Sequence, residues 1–564
     1  MSRSQPVAGR GHATRFPTVP QGLILGLLLA TAFAWCSADS VLAAEPFDLL
    51  LKNGRVVDGA GTPWYIADVA IRNGKIAQIG RLNGRQASRT IDASGLVVAP
   101  GFIDMMGQTG SPFLKDPQTA FNLLTQGVTT INAGEGESAA PLVGDEAKQA
   151  GWSTMREYFA LLEKSGMPVN VVQTVGHTQV RRCVLGEVDR RPLPAEFEKM
   201  KGLVREAMEA GAIGVSTALI YPPAVYASTE EISDLARVAG EFGGGYYTHM
   251  RNEGDRLLEA IDEALSIGER ADCRVHIFHL KAAGRQNWGK MELAISRIKA
   301  ARAAGRQVAA DIYPYINNGL GITAFIHPRH AAEGPNILRR KLDDPQVRVE
   351  IRRDMETNFE YENWHRHTGF DWDRVVLGGM SDRPYGEHNG KSLLAIAKAL
   401  SKDPWDVFFD ACRINAFALP QTMTEANLIK ALREEFVSFC TDVGPAGGSS
   451  IASHPRAYGA FPRVLSRFVR DLGIISLERA VSQMTAVAAN EVLCYDRGRL
   501  SPGLAADVVV FDYAQVADRA TFAEPHKPAE GMRYVIVNGQ VVLDGAQQTA
   551  AKPGRVLRGP GYKP

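Results

Sequence analysis

GGGYYTHMRNEGD at 243–255 and RVHIFHLKAAG at 274–284 each carry a histidine at the end of an apolar run, His249 and His279, thirty residues apart. That spacing is one strand-plus-helix repeat, so two neighbouring parallel strands would bring both imidazoles to the same end of one sheet. Neutral imidazole is the commonest side-chain ligand of a transition metal, and two converging ones beside a carboxylate suit a hydrolytic metal site. The plainer alternative is a pair of buried histidines that merely satisfy backbone groups.

Outward from these runs the same pattern repeats. VVAPGFIDMM, GVTTINAGE, VNVVQTVGH, GAIGVSTAL, GGYYTHM, RVHIFHL, QVAADIYPY and FVSFCTDVG read as eight strands. Between them, stretches such as EFEKMKGLVREAMEAG and GDRLLEAIDEALSIGERA carry apolar residues at helical spacing. Eight parallel strands with intervening helices predict an α/β chain with a (β/α)8 barrel, whose chemistry sits at the carboxyl ends of the strands. Met106, Glu135, His177, His249, His279, Tyr313 and Asp442 all fall at or just past such ends.

Two features interrupt the barrel, which is expected over 101–487. About 120 residues separate the seventh and eighth strands, far beyond a usual loop, so residues 318–435 are expected to form an ordered insertion, either a lid over the barrel mouth or an element packed on its flank. Within it, NFEYENWHRHTGFDWD (358–373) reads as packing, because His365 and His367 lack a partner at metal spacing. The chain ends are β-rich: LLLKNGRVVD (49–58) and YVIVNGQVVLD (534–544) share Asn-Gly-x-Val-Val, and Asn-Gly favours a tight hairpin turn. Residues 45–100 and 488–564 are therefore expected to build one small, discontinuous β-sandwich domain.

The 564 residues are 45% hydrophobic and 22% charged, with a formal charge of +1. No basic excess is available to neutralise phosphates, which argues against a nucleic-acid partner. Arg3, Arg10 and Arg15 precede the apolar run from Leu23 to Trp35, and small residues follow it. That order predicts a secretory signal peptide over 1–44, a periplasmic or secreted protein, and no stable membrane span once the leader is removed. Cys183, Cys273, Cys412, Cys440 and Cys494 remain, an odd set without paired spacing, read as mostly buried thiols.

Taken together, GFID (101–104), GVTT (127–130), STALIYPP (216–223), THMRNEGD (248–255), HLKAAGRQNWGK (279–290), TDVG (441–444), HPRAYGAFPRVL (454–465) and GRLSPGLAADVVVFD (498–512) resemble the amidohydrolase superfamily, and within it the N-acyl-D-amino-acid deacylases. The resemblance implies that His249 and His279 hold a zinc ion and that Asp442 handles protons. Such an ion polarises a scissile amide carbonyl, while a positioned carboxylate takes a proton from water and returns one to the leaving amine. Relatives also carry His-x-His after GFID and a cysteine on strand two. Here Met106 and Gln108 stand at the first pair, and AGEGES aligns Gly136 with the cysteine. Expected in place of a binuclear centre is one divalent metal, held by His249, His279 and either Glu135 or Glu137.

A small substrate bearing a carboxylate needs a cation. Family positions suggest Lys281 and Arg456, with Tyr313 or Tyr315 adding a hydroxyl and His177 touching an oxyanion. Arg251 and Glu253 are read either as orienting His249 or as a local salt bridge. The expected activity is deacylation of N-acyl-D-amino acids. Its rivals are a dipeptidase on peptides with a carboxyl-terminal D-residue, a cyclic-amide hydrolase, and a ligand-binding pseudoenzyme that has lost catalysis.

Overall fold

The computed structural model describes residues 45–447 and 453–564; the leader expected at 1–44 lies outside the described residues. Five strands open the described chain: β1 (Phe47–Val56), β2 (Tyr65–Arg72), β3 (Lys75–Gly80), β4 (Ala87–Asp92) and β5 (Val97–Pro100). All eight runs read as parallel strands then form strands. They are β6 (Phe102–Asp104), β7 (Val128–Ala133), the consecutive pair β8 (Asn170–Gln173) and β9 (Val175–Gly176), β10 (Gly214–Ala218), β11 (Gly245–His249), β12 (Arg274–Ile277) and β13 (Val308–Ile312). The eighth, β17 (Val437–Phe439), follows the insertion strands β14 (Leu320–Gly321), β15 (Val375–Gly378) and β16 (Phe417–Pro420). The chain closes on β18 (Val508–Phe511), β19 (Met532–Val537), β20 (Gln540–Asp544) and β21 (Gln547–Gln548).

Every residue of β7, β10, β11 and β13 is buried, as expected where helices cover one face of a parallel sheet and side chains fill the other. The intervening helices start and stop where local chemistry dictates. Ser228 caps Thr229–Glu241 by accepting from the Glu231 amide, and Gly211, in the left-handed region, ends Pro194–Ala210.

The expectation of a closed barrel is met only in part. The parallel strands fall into two open sheets, β6–β7–β8 and β9–β10–β11–β12–β13–β17. They meet at two seams. One is the covalent step at Thr174 between β8 and β9, and the other is a hydrogen bond from the Met105 amide to the Phe439 carbonyl. Asp104, the acid of GFID, reinforces the second seam by accepting from the Thr441 amide and hydroxyl.

Both chain ends share one sheet, in the order β21–β20–β19–β18–β5–β1–β2–β3 with β4 on β1. The two chain ends thus belong to one sheet. Antiparallel pairing of β5 with β18, Val98 opposite Val510, splices the halves into a single nine-stranded sheet. The repeated Asn-Gly also splits in meaning. Asn538-Gly539 turns the β19–β20 hairpin, whereas Asn53-Gly54 lies inside β1 as a bulge where the register to β2 shifts. There the Asn53 amide donates to Asp68, and the bulge leaves the strand running on.

The insertion has its own core, including Phe325, Trp372, Phe408 and Cys412, around the antiparallel sheet β14–β16–β15. His365 stacks on Trp372 at 4.2 Å, and His367 meets Glu362 at 2.9 Å, so both histidines pack as expected. No helix among the described residues is long and apolar enough to cross a membrane. The five cysteines among the described residues are free thiols; Cys412, Cys440 and Cys494 are buried, while Cys183 and Cys273 are partly exposed.

Candidate metal centre

β11 ends on His249 and β12 ends two residues before His279. The strands are paired in parallel, so both imidazoles emerge at the same end of the sheet, their ring centres 4.5 Å apart and nearly perpendicular. Glu135, just past β7, completes the set: its Oε1 lies 2.8 Å from His249 Nδ1 and 3.0 Å from His279 Nε2. The three ligand atoms lie within 4.8 Å of one another.

The choice between the two glutamates is made by one glycine. Gly136 has φ +73°, and any Cβ there would sit 2.5 Å from the Ala218 amide nitrogen. Only glycine fits this turn, which sends Glu135 inward and Glu137 outward. The Glu135 side chain is 12% exposed, whereas Glu137 is 64% exposed and paired with Arg182 at 2.7 Å. Glu137 is therefore corrected from candidate ligand to surface ion pair. Glu137→Ala should leave metal content at the wild-type level, because the side chain points away from the histidines; loss of metal from this variant would reverse the assignment.

Two imidazoles and a carboxylate are a donor set that suits zinc and similar divalent ions. The electrostatics point the same way. Burial and the Lys281 charge both depress the His279 pKa, yet Glu253 and Glu135 outweigh them and raise it to about 10. Burial alone would raise the Glu135 carboxyl, but its hydrogen bonds to His249 and His279 hold it well below the ordinary value. A centre that draws positive charge this strongly fits a cation.

Behind the histidines, Glu253 Oε1 lies 2.9 Å from His279 Nδ1, and Lys281 Nζ lies 2.6 Å from both Glu253 and His279 Nδ1. Lys281 is buried and engaged in this brace. Glu253 orients His279 directly and stands 3.7 Å from His249 Nε2, the kind of support a ligating histidine needs. Arg251 forms a salt bridge with Glu263. Asp311, which sequence reading passed over, accepts from the His279 amide and from His276 Nε2. It fixes His279 at φ +35°, a conformation that costs a non-glycine residue about 1–3 kcal/mol.

On the other side, Asp442 Oδ2 meets Arg456 Nη1 at 2.6 Å, and the Arg456 guanidinium lies 4.6 Å from the Tyr313 ring centre. Burial pushes the Asp442 carboxyl above its ordinary value; Arg456 opposes this and the Glu135 charge adds to it. Tyr313, Arg456 and Asp442 therefore stand beside the ligand set. Two other assignments are corrected. The Tyr315 hydroxyl reaches the Pro455 carbonyl, and the ring packs on His454 and Arg463. His177 Nε2 is held by Glu231, which Arg181 also grips.

Tyr221 was not singled out from the sequence, although it lies within STALIYPP. Its ring packs edge-on to His249 at 5.7 Å, and it lines a cavity of about 560 Å³ with Gln108, Glu135, Thr178, Ile220 and Pro222. The insertion supplies the opposite wall through Thr323, Ala324, Ile326 and Leu338.

Parallel strands, a small sheet shared by both ends and a His/Glu centre at strand carboxyl ends are the features of a metal-dependent amidohydrolase. Residues 89–543 match the amidohydrolase family, and the chain belongs to it. It is 35% identical over 525 residues to an N-acyl-D-glutamate deacylase of Alcaligenes xylosoxydans xylosoxydans, covering 91% of this chain and 97% of the relative. The crystal structure of N-acyl-D-glutamate deacylase from Bordetella bronchiseptica, complexed with zinc and a phosphonate mimic of the tetrahedral intermediate, matches with a TM-score of 0.77 and 33% identity. That match covers 91% of this chain and 100% of that one. A D-aminoacylase structure, described as having a binuclear metal centre with one-metal activation and second-metal attenuation, gives a TM-score of 0.78 at 33% identity over the same shares.

Proposed function

We propose that the chain is a periplasmic or secreted hydrolase that uses one divalent ion, zinc by its ligand set, to deacylate N-acyl-D-amino acids. The observation that carries this reading is the convergence of Glu135, His249 and His279 beside the Asp442–Arg456 pair. A cation bound there supplies Lewis acidity for the scissile carbonyl and for water.

The chain's own groups do the rest. Asp442, buried and raised above an ordinary aspartate, takes the proton of the attacking water and delivers it to the leaving amine. Arg456, stacked on Tyr313, grips the substrate's α-carboxylate, for which a guanidinium offers two parallel donors. Glu253, Lys281 and Asp311 keep His279 in place. The cavity beside Tyr221 receives the remainder of the substrate, and the insertion acts as its lid. The pseudoenzyme reading required neither glutamate to face the histidines, and Glu135 faces both.

The test is metal content and turnover of the purified protein on a panel of N-acyl-D-amino acids, their L-enantiomers, dipeptides with a carboxyl-terminal D-residue and cyclic amides. The expected result is one metal per chain and cleavage confined to the N-acyl-D-amino acids. A metal-free protein that cleaves nothing overturns the proposal, and preference for the dipeptides or cyclic amides moves it to another amide substrate.

A further inference from the structure

Gln108 lies four residues past the end of β6, and its geometry gives it a task of its own. Its Nε2 donates to Glu135 Oε2 at 2.8 Å and to Asp442 Oδ1 at 2.8 Å. An amide nitrogen carries two hydrogens, so both are used, one on each carboxylate. Two buried carboxylates that face a common point repel one another, and something between them must offset that repulsion.

The backbone holds Gln108 to this position at a cost. Its φ is +55°, a left-handed conformation that a side chain adopts only when its surroundings insist. Those surroundings are visible. The Gln108 carbonyl accepts from the Gly134 amide, and the neighbouring Gly107 amide donates to the Asn132 carbonyl, tying the residue to the end of β7. On the far side Gly444 approaches so closely that a Cβ there would lie 2.1 Å from the Gly107 carbonyl oxygen. Met106, two residues earlier, is wholly buried.

We propose that Gln108 is a positioning residue that holds Asp442 against Glu135, offsetting their repulsion with two hydrogen bonds in place of a cation, and so restricts the centre to one metal. This rests on the reading of Glu135 as a ligand and Asp442 as the proton carrier. A neutral amide serves here because its nitrogen donates twice and has no free lone pair to offer a divalent ion.

The experiment compares wild type with Gln108→Leu and Gln108→Glu, all stripped of metal and titrated with zinc, reading bound ions per chain by elemental analysis and steady-state kinetics on the best substrate. Wild type should bind one ion. Gln108→Leu should lose roughly 10–100-fold in kcat with KM within about twofold, the loss usual for a group that orients a reacting residue. Gln108→Glu, a near-isostere that places three carboxylates around one point, should bind two ions. A second tightly bound ion in wild type, unchanged kcat in Gln108→Leu, or a single ion in Gln108→Glu each overturns the proposal. Thermal melts of the metal-free variants show that they are folded, and ion counting decides the question even without a substrate. A wild type with no metal and no turnover sinks the functional reading itself, whereas an active one-metal wild type beside an unaffected Gln108→Leu sinks only this inference.

Discussion

Asp442→Asn lowers kcat by about 10³-fold, roughly 4 kcal/mol of transition-state stabilisation, while metal content stays at the wild-type level. The amide has nearly the shape of the carboxylate, but it keeps one oxygen where Gln108 and Arg456 use two, and it carries no proton between water and amine. Because Arg456 loses its buried counter-ion, KM rises as well and the melting temperature drops, so metal content and a melt are measured alongside kcat. The wild-type pH profile checks the same group. The folded Asp442 pKa is raised, first by burial, so kcat/KM should fall with acidity along a limb above the ordinary aspartate value, as the working carboxylate is protonated; Asp442→Asn should abolish that limb. A kcat within tenfold of wild type would remove Asp442 from proton transfer.

Glu135→Gln should remove metal and turnover together. Glu135 is the carboxylate that forms the ligand set with both histidines, and without it two imidazoles remain, too few for a catalytic zinc site. Chelation separates this from simple damage. Binding to the folded state alone stabilises by roughly 4 kcal/mol when free metal exceeds the dissociation constant a thousandfold. Wild type should therefore melt several degrees lower after chelation and recover on adding zinc. Glu135→Gln should melt at one temperature with and without chelator. A variant that keeps a stoichiometric ion would exclude Glu135 as a ligand.

The eight strands around the centre were legible, because they are almost wholly buried and read as apolar runs, and the helices between them show their own period and caps; the insertion strands β14, β15 and β16 were not. The pairing of His249 with His279 followed from that repeat. Less was legible wherever direction depended on a turn. Asn53-Gly54 and Asn538-Gly539 are the same dipeptide, one a bulge and one a hairpin, because the partner strand decides which hydrogen bonds are open. Tyr313 and Tyr315, two residues apart, take different surroundings, Tyr313 beside Arg456 and His279 and Tyr315 against His454.

By itself, then, the sequence determined the α/β architecture, the joining of both ends in one sheet, the two histidines and Asp442 at strand ends, and the departure at Met106 and Gln108. Tertiary structure decided which glutamate joins the histidines, that Lys281 braces His279 through Glu253, and that Gln108 spans Glu135 and Asp442. The physical reason is range. Periodicity and strand ends are written in neighbouring residues, whereas a ligand set is closed by groups more than a hundred residues apart, aimed by single backbone angles at Gly136, His279 and Gln108 that only the packed fold imposes.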